Sequence, residues 1–262
     1  MMKSLIAVAA ALLLFSANAQ AKIVGETIEY NANDTVLEGY LVYDDEVSGP
    51  RPGVLVFHEW WGINDYIKGR ADELARLGYV AFAPDMYGKG VRPTDPKAAG
   101  EAAGKLRADN ALMRSRAMAG LEALREVELA DTSRMAAIGY CFGGGAALEL
   151  GRSGAPVAGT VTFHGSLATK NPARPNDIKG SVLVLHGAED PHVKPEDVRA
   201  FKDEMRTAGA DWVFTSYGGA VHGFSNPNND ADPSDGLAYN EKADKRSWEA
   251  MKDFLKEVFG GR

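Results

Sequence analysis

One residue type occurs once in the chain: Cys141, set in Gly139-Tyr140-Cys141-Phe142-Gly143, after a short apolar run and before a helical pattern. G-x-C-x-G between strand and helix is a spacing for nucleophilic chemistry. Small residues on both sides let the backbone turn sharply and leave the thiol exposed at the turn. The N-terminus of the following helix then favours a thiolate and the oxyanion of a tetrahedral intermediate. A dinucleotide fingerprint would need glycine where Cys141 stands, and a phosphate loop needs Gly-Lys-Ser/Thr; neither is present. A buried cysteine among glycines that serve close helix–strand packing is the plain alternative.

A nucleophilic thiol needs a base, and the base needs an orienting acid. In an open α/β sheet these follow the nucleophile in the order acid, histidine, on loops at strand C-terminal ends. "SVLVLHGAED" runs out into Glu189-Asp190, and "WVFTSYGGAVHGF" runs out into His222. Asp190 is the first choice of acid, with Glu189 its neighbouring competitor, and His222 is the base. His58 and His164 precede the acid, His186 lies at a strand end, and His192 is too near Asp190 to come from a separate loop. "HEWWG" follows an early apolar strand, where such folds place a second oxyanion amide. The backbone N–H groups of Phe142 and Trp60 are therefore the candidate donors, and Glu59 is a carboxylate near the thiol.

The elements that must hold these residues alternate. Two strands around Asn31–Asp34 come first, then a buried strand over Val54–Phe57. A helix from Asn64 follows, with Ile67, Ala71, Leu74 and Leu77 at helical spacing and Gly78 as its stop. Further strands are read in "YVAFAPD", "MAAIGY", "VAGTVTFHG", "SVLVLHGAED" and "WVFTSYG". Helices are read over Pro96 to about Val127 (in one or two pieces), after Cys141, over Pro195–Thr207, and at the C-terminus, where Trp248, Met251, Leu255 and Val258 share a face. The Asn/Asp/Pro-rich stretch Asn226–Asp235 reads as a solvated loop. Strands apolar throughout, alternating with helices, predict one α/β domain with a mostly parallel sheet covered on both faces.

His58-Glu59-Trp60-Trp61-Gly62, Pro84-Asp85-Met86-Tyr87, Gly139 to Gly144, His186 to Asp190 and His222-Gly223-Phe224 together resemble the dienelactone hydrolase family. The resemblance runs from about Gly39 to Phe259. It implies a single-domain α/β-hydrolase without a large lid domain, a Cys141–His222–Asp190 triad, and Glu59 as the carboxylate that helps control thiol ionisation. It implies hydrolysis of a small ester or lactone through an acyl-enzyme, with no metal or organic cofactor. Members that open dienelactone hold its carboxylate with two arginines. The matching neighbourhoods here read Gly88-Lys89-Gly90-Val91-Arg92 and Asn226, so Lys89 or Arg92 is the expected source of positive charge. Trp61, Tyr87 and Asn226 complete the expected substrate pocket.

Composition bounds the setting. The 262 residues are 45% hydrophobic and carry a net charge of −7, an acidic balance that argues against nucleic acid and anionic membranes as partners. A small-molecule ester or lactone is the expected partner. Lys3, the apolar run Leu5–Phe15 and the small residues up to Ala21 read as a secretory signal over residues 1–21, with cleavage after Ala19 or Ala21. The hydrolase domain is then 22–262 and the protein is exported, to a periplasm or beyond. One cysteine forms no internal disulfide, so the exported fold must stand on its core. A non-catalytic small-molecule binder or thiol sensor on the same scaffold is the other class of function the sequence allows, and a peptidase or thioesterase is a third.

Overall fold

The computed structural model describes residues 22–260. The expected leader, residues 1–21, lies outside the described residues. Eight strands form one sheet in the order β1-β2-β4-β3-β5-β6-β7-β8. β1 (Ile23–Ala32) and β2 (Thr35–Asp44) form an antiparallel hairpin that joins the sheet through β4 (Val80–Ala83). β3 (Arg51–Phe57), β4, β5 (Ala130–Tyr140), β6 (Gly159–Phe163), β7 (Ser181–Gly187) and β8 (Trp212–Tyr217) run parallel.

Alternation within each central strand feeds two cores. Val54 and Val56 of β3 and Ile138 of β5 pack with Ile67 and Leu74 of α1 (Asp65–Arg76) and with Met251 and Leu255 of α6 (Glu241–Val258). Leu55, Phe57 and Ala137 face the other way. They meet Leu106 of α2 (Pro96–Ala108), Leu121 of α3 (Asn110–Arg125) and Leu150 of α4 (Phe142–Arg152). A third cluster seats Phe201 and Met205 of α5 (Pro195–Ala208) on Val182 and Val184. Val54, Leu55, Val56 and Phe57 are all fully buried, and each such side chain contributes about 1.5–3 kcal/mol of burial. Both faces of the sheet are thus dry, as strands without polar alternation require.

The helices start and stop where their caps allow. Asn64 accepts from the Ile67 N–H at 3.1 Å to open α1, and Gly78 at φ 91° follows its end. Leu77, expected on the buried face, is instead the C-cap and is exposed. The alanine-rich stretch divides at Asp109, whose extended backbone ends α2 and whose carboxylate caps Leu112 of α3. β8 departs from the two-face burial of the other parallel strands: it is an edge strand, and Val213 is exposed.

The parallel strands deliver chain to one end of the sheet. His58-Glu59 leaves β3, Cys141 leaves β5, Asp190 follows β7 and His222 follows β8. That shared edge is where an open α/β sheet builds a site.

Candidate active site

Cys141 has φ 54° and ψ −116°, a conformation costly for a residue with a Cβ. Two glycines permit it. A Cβ on Gly139 would lie 1.9 Å from the Gly143 carbonyl oxygen, and one on Gly143 would lie 2.3 Å from that of Phe57. The Cys141 N–H donates to the Phe163 carbonyl at 3.0 Å, tying the turn to β6. Phe142 begins α4 directly afterwards.

His222 Nε2 lies 3.0 Å from Cys141 Sγ, and His222 Nδ1 lies 2.8 Å from Asp190 Oδ2. The second Asp190 oxygen accepts the His192 N–H at 2.8 Å, which fixes the carboxylate plane. Asp190 and His222 are both buried. Burial alone would depress the His222 pKa, but negative charge on Cys141 and the bond to Asp190 overcome it and raise the value to about 10. Burial conversely pushes the Asp190 carboxyl up; the hydrogen bond and positive charge of His222 outweigh it and hold it below its ordinary value. Both directions favour a protonated His222 bonded to an ionised Asp190. Glu189, the competing acid, accepts instead from the exposed Gly219 N–H.

The β3 loop supplies the facing wall. Glu59 is buried and accepts from Asn226 Nδ2 at 2.8 Å. Burial drives its pKa up to about 7, against the opposing pull of Asn226, His222 and Arg70. His58 is fully buried; its Nδ1 sits 2.5 Å from the Glu59 carbonyl and its Nε2 accepts the Met86 N–H at 3.3 Å. Burial lowers its pKa to about 4, so it is a neutral ring that pins the loop. Tyr87 adds a second pin, donating from its hydroxyl to the Trp60 carbonyl at 2.9 Å. Among the described residues, neither the Phe142 nor the Trp60 N–H has a protein acceptor, leaving both available to an incoming oxygen.

Below His222 lies a buried polar chain: Tyr66 hydroxyl to Ser225 Oγ at 2.9 Å, and Ser225 Oγ to His164 Nε2 at 2.8 Å. The His164 ring meets the His222 ring edge to face, with centroids 5.3 Å apart. Burial keeps His164 far below its ordinary pKa, so it adds bulk and no charge beside the base.

A cavity of about 580 Å³ opens over this constellation, lined by Glu59, Trp60, Trp61, Cys141 and His222. Residues that sequence reasoning missed complete it: Arg107, Ser166, His192, Asn229, Asp235 and Leu237. A sequence profile of the dienelactone hydrolase family matches residues 37–259. The chain belongs to the dienelactone hydrolase family. Membership places it among hydrolases of esters and lactones.

Among structures similar to this family member is one named m3DLH. It is 43% identical with a TM-score of 0.86, covering 91% of this chain and 99% of the other. Another is a dienelactone hydrolase-like promiscuous phosphotriesterase from metagenomic libraries, 40% identical with a TM-score of 0.84 over 92% of this chain and 100% of the other. A Saccharolobus solfataricus protein, provisionally named a carboxymethylenebutenolidase, is 27% identical over 88% of this chain and 98% of its own length.

Set against the dienelactone hydrolase pattern, the expected cations lie elsewhere. Lys89 is exposed and pairs with Glu29 of β1. Arg92 reaches Glu38 of β2 at 3.3 Å and Asp85 at 3.7 Å. Neither lines the cavity over Cys141; Arg107, at the end of α2, does. Asn226 serves Glu59, Tyr87 braces the Trp60 loop from behind, and Trp61 faces the cavity. The Asn226–Asp235 stretch is largely exposed, as read, and the chain just beyond it returns to the site: the His222 N–H donates to the Gly236 carbonyl at 3.2 Å and the Ala238 N–H to the His222 carbonyl at 3.1 Å. Its position after the base, at the C-terminal edge of a parallel sheet, was the available signal.

Proposed function

We propose that this dienelactone hydrolase family member cleaves a small ester or lactone with Cys141 as nucleophile, His222 as acid and base, and Asp190 as the group that orients His222. The observation that carries this is the 3.0 Å and 2.8 Å relay from Cys141 through His222 to Asp190, with the thiol at a strained turn above a helix N-terminus.

The thiolate attacks the substrate carbonyl. A carbon–sulfur bond forms, and the carbonyl electron pair moves onto oxygen, where the Phe142 and Trp60 amides receive it. The oxyanion collapses and expels an alkoxide, which takes the Nε2 proton of His222. In a lactone that alcohol stays tethered to the acyl chain. Water then gives its proton to His222 and attacks the thioester carbonyl. Collapse of this second intermediate returns the electron pair to sulfur and releases the acid. Glu59, its pKa pushed up to about 7, is only about half ionised at neutral pH and adds less competing negative charge beside the thiolate than an ordinary carboxylate would.

The test is the initial rate on dienelactone and on a neutral aryl ester for the wild type, Cys141→Ala and His222→Ala, with folding verified by circular dichroism. The expected result is loss of turnover in both variants. Equal rates in variants and wild type overturn the reading. We also propose that residues 1–21 direct export and are removed. A mature N-terminus at Gln20 or Lys22 in a periplasmic or secreted fraction supports this, and an intact N-terminus in the cytosol overturns it.

A further inference from the structure

A second cavity of about 290 Å³ lies beside the first, and the two share Arg107 and Ser166. Phe142, the residue after Cys141, lines the second cavity, where Met113, Gly145 and Ala168 give it apolar surface and Asn110, Glu149 and Thr169 give it polar groups. Arg107 stands at the junction with its guanidinium 5.6 Å from the centre of the Phe142 ring. Neighbouring arginines are neutralised: Arg114 pairs with Glu149 at 2.7 Å, and Arg152 pairs with Glu149 and Glu204 at 3.1 and 2.8 Å. Among the described residues Arg107 has no carboxylate partner. Lys170 lines the far part of the same cavity and is held only by the Ala108 carbonyl, at 3.2 Å.

Resting on the hydrolytic reading above, we propose that this second lobe is a substrate subsite. It takes an extended, mostly apolar arm that ends in a carboxylate or similar anion, held at Arg107 with Lys170 beyond. Two features fix the class of ligand. Phe142, Met113 and Ala168 offer apolar surface that suits methylene groups, and among the described residues neither Arg107 nor Lys170 pairs with a carboxylate, the lining Glu149 being taken by Arg114 and Arg152. The guanidinium, placed over the Phe142 ring, has N–H groups that suit a bidentate acceptor.

The experiment compares para-nitrophenyl hexanoate with the mono-para-nitrophenyl ester of adipic acid, which has the same chain length and a terminal carboxylate. At low ionic strength the wild type is expected to favour the adipate ester in kcat/KM by about five- to tenfold, as a partly exposed charge-assisted contact allows. The preference should shrink in 0.5 M salt, where screening is short-ranged. Arg107→Gln should abolish the preference and Arg107→Lys restore part of it. Ala168→Trp, which narrows the lobe, should lower the ratio of hexanoate to acetate ester turnover. An adipate-to-hexanoate ratio that is the same in wild type and Arg107→Gln overturns the subsite. Calorimetric binding of the two esters to Cys141→Ala, with and without Arg107→Gln, separates this from the chemistry. An Arg107-dependent binding preference in Cys141→Ala supports the subsite, its absence overturns the subsite, and only a wild type that turns over neither ester counts against the hydrolytic reading.

Discussion

Glu59 and Asn226 meet through a 2.8 Å hydrogen bond between a buried carboxyl and an amide. An amide can solvate a carboxylate but cannot neutralise it. Burial therefore lifts the Glu59 pKa from an ordinary 4.5 to about 7.

This shift has a thermodynamic sign. A carboxyl whose folded pKa is raised binds more protons folded than unfolded between the two values, so stability falls as pH rises through that window. The Glu59 contribution is fully present below about pH 4.5 and is lost by about pH 7, an effect of the order of 3 kcal/mol. Urea denaturation at pH 5 and pH 8 should show a smaller difference in Glu59→Gln than in the wild type. An unchanged difference would remove Glu59 from the account. Asn226→Arg should move the window downward by supplying the missing cation.

The elbow glycines admit no side chain. Gly143→Ala forces a Cβ against the Phe57 carbonyl, a backbone group that cannot rotate away. Displacing β3 from α4 should cost about 3 kcal/mol or more, at the upper end of overpacking effects. Gly145, whose Cβ would have ordinary clearance at 3.4 Å, is the control: Gly145→Ala should differ from the wild type by less than about 1 kcal/mol. Chemical denaturation of the two variants side by side checks this.

Strain at Cys141 is measurable without turnover. Cys141→Ala and Cys141→Gly both lack the thiol, but only glycine relaxes a φ of 54° paired with a ψ of −116°. The glycine variant should be the more stable of the two by about 1 kcal/mol, reversing the usual order at a strand–helix junction. Thermal unfolding of the pair decides it. A more stable alanine variant would mean that the turn is not strained.

Arg152 is the keystone of a buried ion network. It binds Glu204 through two nitrogens, both at 2.8 Å, Glu149 at 3.1 Å and the Leu167 carbonyl at 2.9 Å. Removing it leaves two buried carboxylates without their shared cation. Arg152→Ala should cost about 3–5 kcal/mol, read from urea midpoints at constant slope. Arg152→Met in a Glu149→Gln, Glu204→Gln background should recover most of the loss, since neutral amides no longer require a counter-charge.

The sequence revealed the relay more readily than the pocket. Cys141, Asp190 and His222 each follow an apolar run with local turn chemistry, and chain order in a parallel sheet tells where such runs end. Trp60 and Phe142 were legible for the same reason. Arg107 was not, because it ends an ordinary amphipathic helix and reaches the site only through the way α2 docks beside α4. Lys89 and Arg92 misled in the opposite sense. Their chain neighbourhood matches the family motif, but the β1–β2 hairpin brings Glu29 and Glu38 alongside and captures both charges. That capture depends on strand order across the sheet edge, which no local periodicity encodes. The exposed Asn226–Asp235 loop was legible from its polar composition, but the return of Gly236 and Ala238 to the backbone of His222 was not.

Cys141 is the chain's only sulfhydryl and is partly accessible within its cavity. The molecule is therefore supplied with a built-in stoichiometric label. One equivalent of a thiol-specific reagent reports on a single position, with no second site to consume it. Fluorophore, spin label or isotopic tag can be installed at the turn above α4 without first deleting any other residue.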